Sequence, residues 1–131
     1  MSYDLYFWRE IASSGARPED VCALLCEEQE PEGLAWLSVA DLKGRFAAAF
    51  PGIRDGGTEL NWEGEESYFQ VSWPVGSRPG RTLGIFVHCG YPLLESPDTL
   101  NRVIEIAGEF GCALYDPQTG KRYNQADPKR D

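Results

Sequence analysis

No apolar run in this sequence approaches the ~20 residues that cross a bilayer. Its first residues, MSYDLYFWRE, lack the basic start and long apolar stretch of a secretion signal. A cytoplasmic protein is the expectation. Histidine is scarce, with His88 alone, and the four cysteines are Cys22, Cys26, Cys89 and Cys112. Zinc sites want paired Cys or His at short spacing, and only Cys22 and Cys26 stand close. Buried free thiols are expected, with no metal and no cofactor. The glycine-rich stretches PGIRDGG and GSRPG lack the G-x-x-x-x-G-K-[ST] pattern that cradles phosphate, so both read as loops.

Bases are missing where acids gather. Residues 19–32 hold Glu19, Asp20, Glu27, Glu28, Glu30 and Glu32 with no Lys or Arg, and residues 55–66 hold Asp55, Glu59, Glu63, Glu65 and Glu66 with none. The formal net charge is −9, and these two segments alone carry −11, so the remainder is slightly basic. Such a chain repels nucleic-acid phosphates and anionic membranes and attracts basic surfaces. Acidic loops also serve plain solubility.

What is present suffices for one packed domain. The 131 residues are 42% hydrophobic and 12% aromatic, and a chain of this length buries roughly two-thirds of its unfolded surface. SYDLYFW alternates as a strand. A helix is expected from about 18 to 28, opening on Pro18 with Glu19 and Asp20 in its first turn, and presenting Val21, Leu24 and Leu25 beside Cys22. Ser38 and Asp41 have capping-box spacing ahead of Val39, Leu42 and Phe46, and Pro51 closes that helix. TELNW and SYFQVSW read as a hairpin, and TLGIFVHC as a central strand buried on both faces. Ser96, Pro97 and Asp98 open a third helix through Leu100, Val103, Ile104, Ala107 and Phe110, stopped by Gly111. CALYD is the last strand. The order β-α-α-β-β-β-α-β predicts an α+β domain over 1–123. It has two layers, an antiparallel or mixed sheet of about five strands and three helices on one face, with a polar tail over 124–131.

Catalysis finds little footing. His88 and Cys89 are adjacent on a strand and point to opposite faces, so neither activates the other through Asp116 or otherwise. Glu63, Glu65 and Glu66 surround Gly64 in a solvated turn, unlike two carboxyls set apart in one cleft. A non-enzyme is expected. On the hairpin, Leu60, Trp62, Phe69, Val71 and Trp73 suit the core. That leaves Glu59, Asn61, Tyr68, Gln70 and Ser72 as an outer row, with Tyr68 the exposed aromatic.

The stretches MSYDLYFW, LGIFVHCGYP, DTLNRVIEIAGEFG and CALYDPQTGKRY resemble a broad group of small bacterial proteins that look like immunity proteins, encoded beside polymorphic or secreted antibacterial toxins. The resemblance covers the first ten residues and about 82–123 and rests on structural motifs. It carries over no catalytic residue, and 27–81 depart from it. It implies a protein that binds and neutralises a basic toxin, such as a nuclease domain, whose positive surface holds phosphates. The contact residues expected are Asp55, Glu59, Glu63, Glu65, Glu66 and Tyr68 from the hairpin side, and Glu27, Glu28, Glu30 and Glu32 from the first acidic segment. The alternative is a non-catalytic protein-binding or regulatory module, including a homodimer.

Overall fold

The alternating opening stretch forms strand β1, Ser2–Trp8. The computed structural model describes residues 2–11, 17–64, 68–74, 77–90 and 97–123. After β1 come α1 (Pro18–Cys26), β2 (Leu37–Ser38), α2 (Val39–Ala49), β3 (Arg54–Asp55), β4 (Glu59–Glu63) and β5 (Tyr68–Ser72). Then follow β6 (Arg81–Thr82), β7 (Ile85–Gly90), α3 (Pro97–Glu109), β8 (Ala113–Asp116) and β9 (Lys121–Tyr123). The main sheet has the order β3-β4-β5-β7-β1-β8-β9, and β2 pairs with β6 in a separate ribbon. Every strand pair is antiparallel. The α+β class, the three helices and the five anticipated strands (β1, β4, β5, β7, β8) are all present; the further strands are two or three residues long. The tail over 124–131 and the Ser96 cap lie outside the described residues. Among the described residues no helix is long and apolar enough to cross a membrane.

Alternation divides the sheet. Leu5 and Phe7 of β1, Leu60 of β4, Phe69 and Val71 of β5, and Ile85, Val87 and Cys89 of β7 point to one face. The register sets them side by side, as in Phe7↔Ile85, Leu5↔Val87, Val71↔Val87 and Leu60↔Val71. Helices α2 and α3 cover them with Leu42, Phe46, Val103, Ile106 and Ala107. Each of the Val, Leu, Ile and Phe side chains among them contributes about 1.5–3 kcal/mol of transfer free energy. Phe50, just past α2, packs edge-on to Phe69 and Trp62 at centroid separations of 5.0 and 5.6 Å.

Helix α1 does not join that layer. Val21, Cys22 and Leu25 pack on the opposite face, against Trp8, Tyr115, Leu34 and Leu83. The reason is legible in β1, whose outward positions Tyr6 and Trp8 are themselves apolar enough to need cover. Leu24 falls off the contact stripe and is 39% exposed. The run TLGIFVHC breaks at Leu83 and Gly84, so β6 and β7 are separate strands. A Cβ on Gly84 would stand 3.2 Å from Leu25 Cδ1 and 3.3 Å from the carbonyl of Phe7, which marks how closely α1 and β1 approach there. Strand β7 is central, yet it is buried on both faces only in part, because Phe86 and His88 remain half-exposed.

The helix ends are well defined. Ser38 Oγ accepts from the backbone N–H of Asp41 at 3.2 Å, the anticipated cap of α2. Helix α3 closes with Cys112 N donating to the Ala107 carbonyl and Gly111 N to that of Gly108, with Gly111 at φ 79°. Helix α1 closes in the same pattern: Gln29 N donates to the Leu24 carbonyl and Glu28 N to that of Leu25, but the left-handed position is filled by Glu28 at φ 58°.

Candidate functional site

The face of the sheet away from α2 and α3 is polar and aromatic where α1 leaves it open. Cross-strand pairs place Glu59 with Ser72, Asn61 with Gln70, Glu63 with Tyr68, Gln70 with His88, and Asp4 with His88 on this face. The outer row anticipated from alternation is therefore assembled, and β7 and β1 extend it. Tyr68 is 40% exposed, and its ring centroid lies 6.4 Å from that of His88. Phe69, Leu60 and Val71 are buried on the other side, and Trp62 and Trp73 pack partly against them.

The acids of the hairpin side are not base-free in space. Asp55 pairs with Lys43 of α2 at 3.1 Å, and Glu63 pairs with Arg54 of β3 at 2.9 Å. The Asp55 carboxyl is held below its ordinary value, first by the Gly57 N–H and then by Lys43. Glu59 accepts from the Thr58 hydroxyl at 2.8 Å. Two of the expected contact acids are thus already neutralised, which corrects the picture of a −5 hairpin. The base-free count along the chain stops one residue short of Arg54 and takes no account of Lys43 on a helix. Glu65 and Glu66 lie outside the described residues.

The first acidic segment keeps its charge outward. Glu27, Glu28, Glu30 and Glu32 are all exposed, and Glu30 Oε2 accepts from the backbone N–H of Ser77 at 2.7 Å. These residues follow the end of α1, whose last turn holds no base. Cys26, the last residue of α1, and Ser72 of β5 line one groove, and Glu59 stands opposite Ser72 in the β4–β5 ladder. The groove thus adjoins the end of α1, from which the first acidic segment departs, and the strand that pairs with β4.

That groove, of about 330 Å³, runs over β5, β7 and β1 between Gln70, Ser72, Phe86, His88, Asp4 and Tyr6. At its floor, His88 Nδ1 and Asp4 Oδ1 are 2.6 Å apart, with both side chains 43% exposed. Neither Asp4 nor Tyr6 is singled out by composition or motif. The missing signal is the β1–β7 register, which joins residues 84 positions apart. Cys89 sits on the opposite face, with its Sγ 3.6 Å from the Tyr3 carbonyl oxygen and its thiol pushed up to about 11 by burial and then by Asp4. Alternation thus separates it from His88, as anticipated. Cys22 is also buried, its thiol pushed up to about 12 by desolvation and then by Cys26. Burial, followed by Cys26, likewise raises the Tyr6 hydroxyl. At neutral pH Cys22 and Cys89 are therefore thiols, the poorly nucleophilic form. Cys26 departs from the expected burial and is exposed. Among the described residues no three metal-ligating side chains are grouped. The arrangement is suited to holding a ligand by charge, hydrogen bonds and aromatic contact. No protein-family model, curated protein or solved structure matches this chain.

Proposed function

We propose that this chain is an immunity-type binding protein that neutralises a cationic partner protein, such as a nuclease toxin domain, by covering it with the open face of its sheet. One observation carries the reading: Gln70 and Ser72 of β5 and His88 of β7 share a groove with Cys26 at the end of α1, from which the acidic segment departs, and exposed Tyr68 stands beside His88. Rigid tyrosine with flanking carboxylates is a composition suited to gripping and steering a basic protein.

The glutamates after α1 add support, because they stand exposed beyond a helix end whose last turn holds no base. Negative charge at a helix C-terminus opposes the macrodipole. Glu28 also takes the left-handed position that glycine fills at least cost. Pairing of Asp55 and Glu63 with Lys43 and Arg54 moves the weight of the interface from the hairpin tip toward residues 27–32. The resemblance of the two ends of the chain to immunity proteins supplies the class of partner.

The test is toxicity and its relief. Expression of the adjacent reading frame alone should arrest growth, and coexpression of this chain should restore it. Replacing Glu27 and Glu32 by Lys should slow association of the two purified proteins about fivefold at low salt and flatten its salt dependence. A harmless neighbour, or growth that stays arrested on coexpression, would refute the reading.

A further inference from the structure

The groove over β1, β5 and β7 has a more specific chemistry than negative charge. The short contact between His88 and Asp4 fixes the tautomer. A carboxylate accepts, so Nδ1 carries the proton, and in the neutral ring Nε2 is left as an acceptor. Asp4 Oδ2 is a second acceptor. Gln70, opposite His88 on β5, directs its amide N–H to Asn61 Oδ1 at 3.0 Å, which leaves its carbonyl oxygen as a third. Aromatic surface encloses these groups: Tyr6 and Phe86 meet edge to face at 5.0 Å, and Tyr68 stands beside His88. The groove therefore combines one carboxylate, uncharged acceptors and ring faces in about 330 Å³.

We infer that this groove receives an arginine side chain of the partner protein. A guanidinium has five N–H donors and no acceptor, is planar, and stacks on aromatic rings. It complements the Asp4 carboxylate in charge, the acceptors in hydrogen bonding and the rings in shape. A lysine ammonium matches the charge but neither the fork nor the stack. The overall charge of −9 favours approach of such a partner. This inference rests on the binding reading above and names the anchor on the partner's side; arginine is among the residues that dominate interface energetics.

The experiment titrates ¹⁵N-labelled protein with a blocked Gly-Arg-Gly peptide and with its Gly-Lys-Gly counterpart. The arginine peptide should move the amide resonances of Asp4, Tyr6, Gln70 and His88, and the lysine peptide should bind about tenfold more weakly. Asp4→Asn keeps an acceptor for His88 Nδ1 but removes the charge, and should weaken arginine binding about tenfold. Gln70→Lys places a resident cation in the groove and should abolish the response, and it serves if Asp4→Asn does not fold. Equal affinity for the two peptides, or shifts confined to 27–32, would overturn the inference. Undiminished growth rescue by both variants would also overturn it, while leaving neutralisation standing. Arginine-selective shifts in the groove without growth rescue would keep the pocket and remove the toxin reading.

Discussion

Two helices of this protein end in the same hydrogen-bonded turn and fill it differently. At the end of α3 the left-handed residue is Gly111, and the last helical residue, Glu109, is clasped by Arg45 through two bonds of 2.6 and 2.8 Å. At the end of α1 the left-handed residue is Glu28, further glutamates follow at 30 and 32, and the last turn has no base. The first end obeys every local rule: glycine where φ is positive, and a cation to offset an acid at the negative pole. The second places a glutamate at the positive φ and holds no base in its last turn.

Substitution at the α3 turn should have the largest effect. Gly111→Ala forces a Cβ into the left-handed region, at about 1–2 kcal/mol. That Cβ would also stand 2.8 Å from Arg9 Cδ, so Arg9 must move. Chemical denaturation should give a loss of about 2 kcal/mol with an unchanged slope. A loss below about 0.5 kcal/mol would mean that the turn is not held as described.

At the α1 turn the sign should reverse. Glu28→Gly removes strain and a charge at the wrong pole of the helix, and should stabilise the protein by about 1 kcal/mol. The same variant should associate more slowly at low salt with the cationic partner proposed above. Destabilisation would show that Glu28 is retained for the fold, and the contrast between the two helix ends would lose its functional meaning.

These ends also mark what the sequence makes readable. Gly111 after a clean helical period announces its turn, and Ser38 with Asp41 announces the start of α2, because both signals are local. The stop of α1 is blurred, since EEQEPEG offers no glycine at the place where the helix ends. Helical spacing also puts Leu24 on the apolar stripe, yet α1 rests on the sheet along a narrow strip and leaves Leu24 outside. The face carrying α1 was not readable either. Tyr6 and Trp8 serve either side of β1 equally until β7 and β8 are in register. The outer row Glu59, Asn61, Tyr68, Gln70 and Ser72 was readable from alternation alone. The pair Asp4–His88, and the neutralisation of Asp55 and Glu63 by Lys43 and Arg54, required tertiary contacts.

The smallest expected effect concerns pH, and again sets an offset acid against exposed ones. Arg45 holds the Glu109 carboxyl below its ordinary value of 4.5, chiefly through the hydrogen bond, which outweighs the opposing effect of desolvation, with the Arg45 charge adding a smaller share. A lowered folded value means that the pair's contribution is fully present above the ordinary carboxylate range. It is lost as pH falls through the lowered value, where the folded carboxylate finally takes up its proton. Both side chains are largely solvated, so water and salt screen the pair and the share is minor. Asp55 follows the same sign through Gly57 and Lys43, so acid sensitivity is distributed over the helix-covered side of the sheet. Glu109→Gln should therefore narrow the difference in urea midpoint between neutral pH and pH about 3 relative to the parent protein, and converge with it at the acid end. Glu27→Gln, at the end of α1, should leave that difference unchanged or improve the neutral-pH midpoint, because it removes a charge disfavoured by the dipole. An equal narrowing by both variants would mean that the two helix ends bear their acids in the same way.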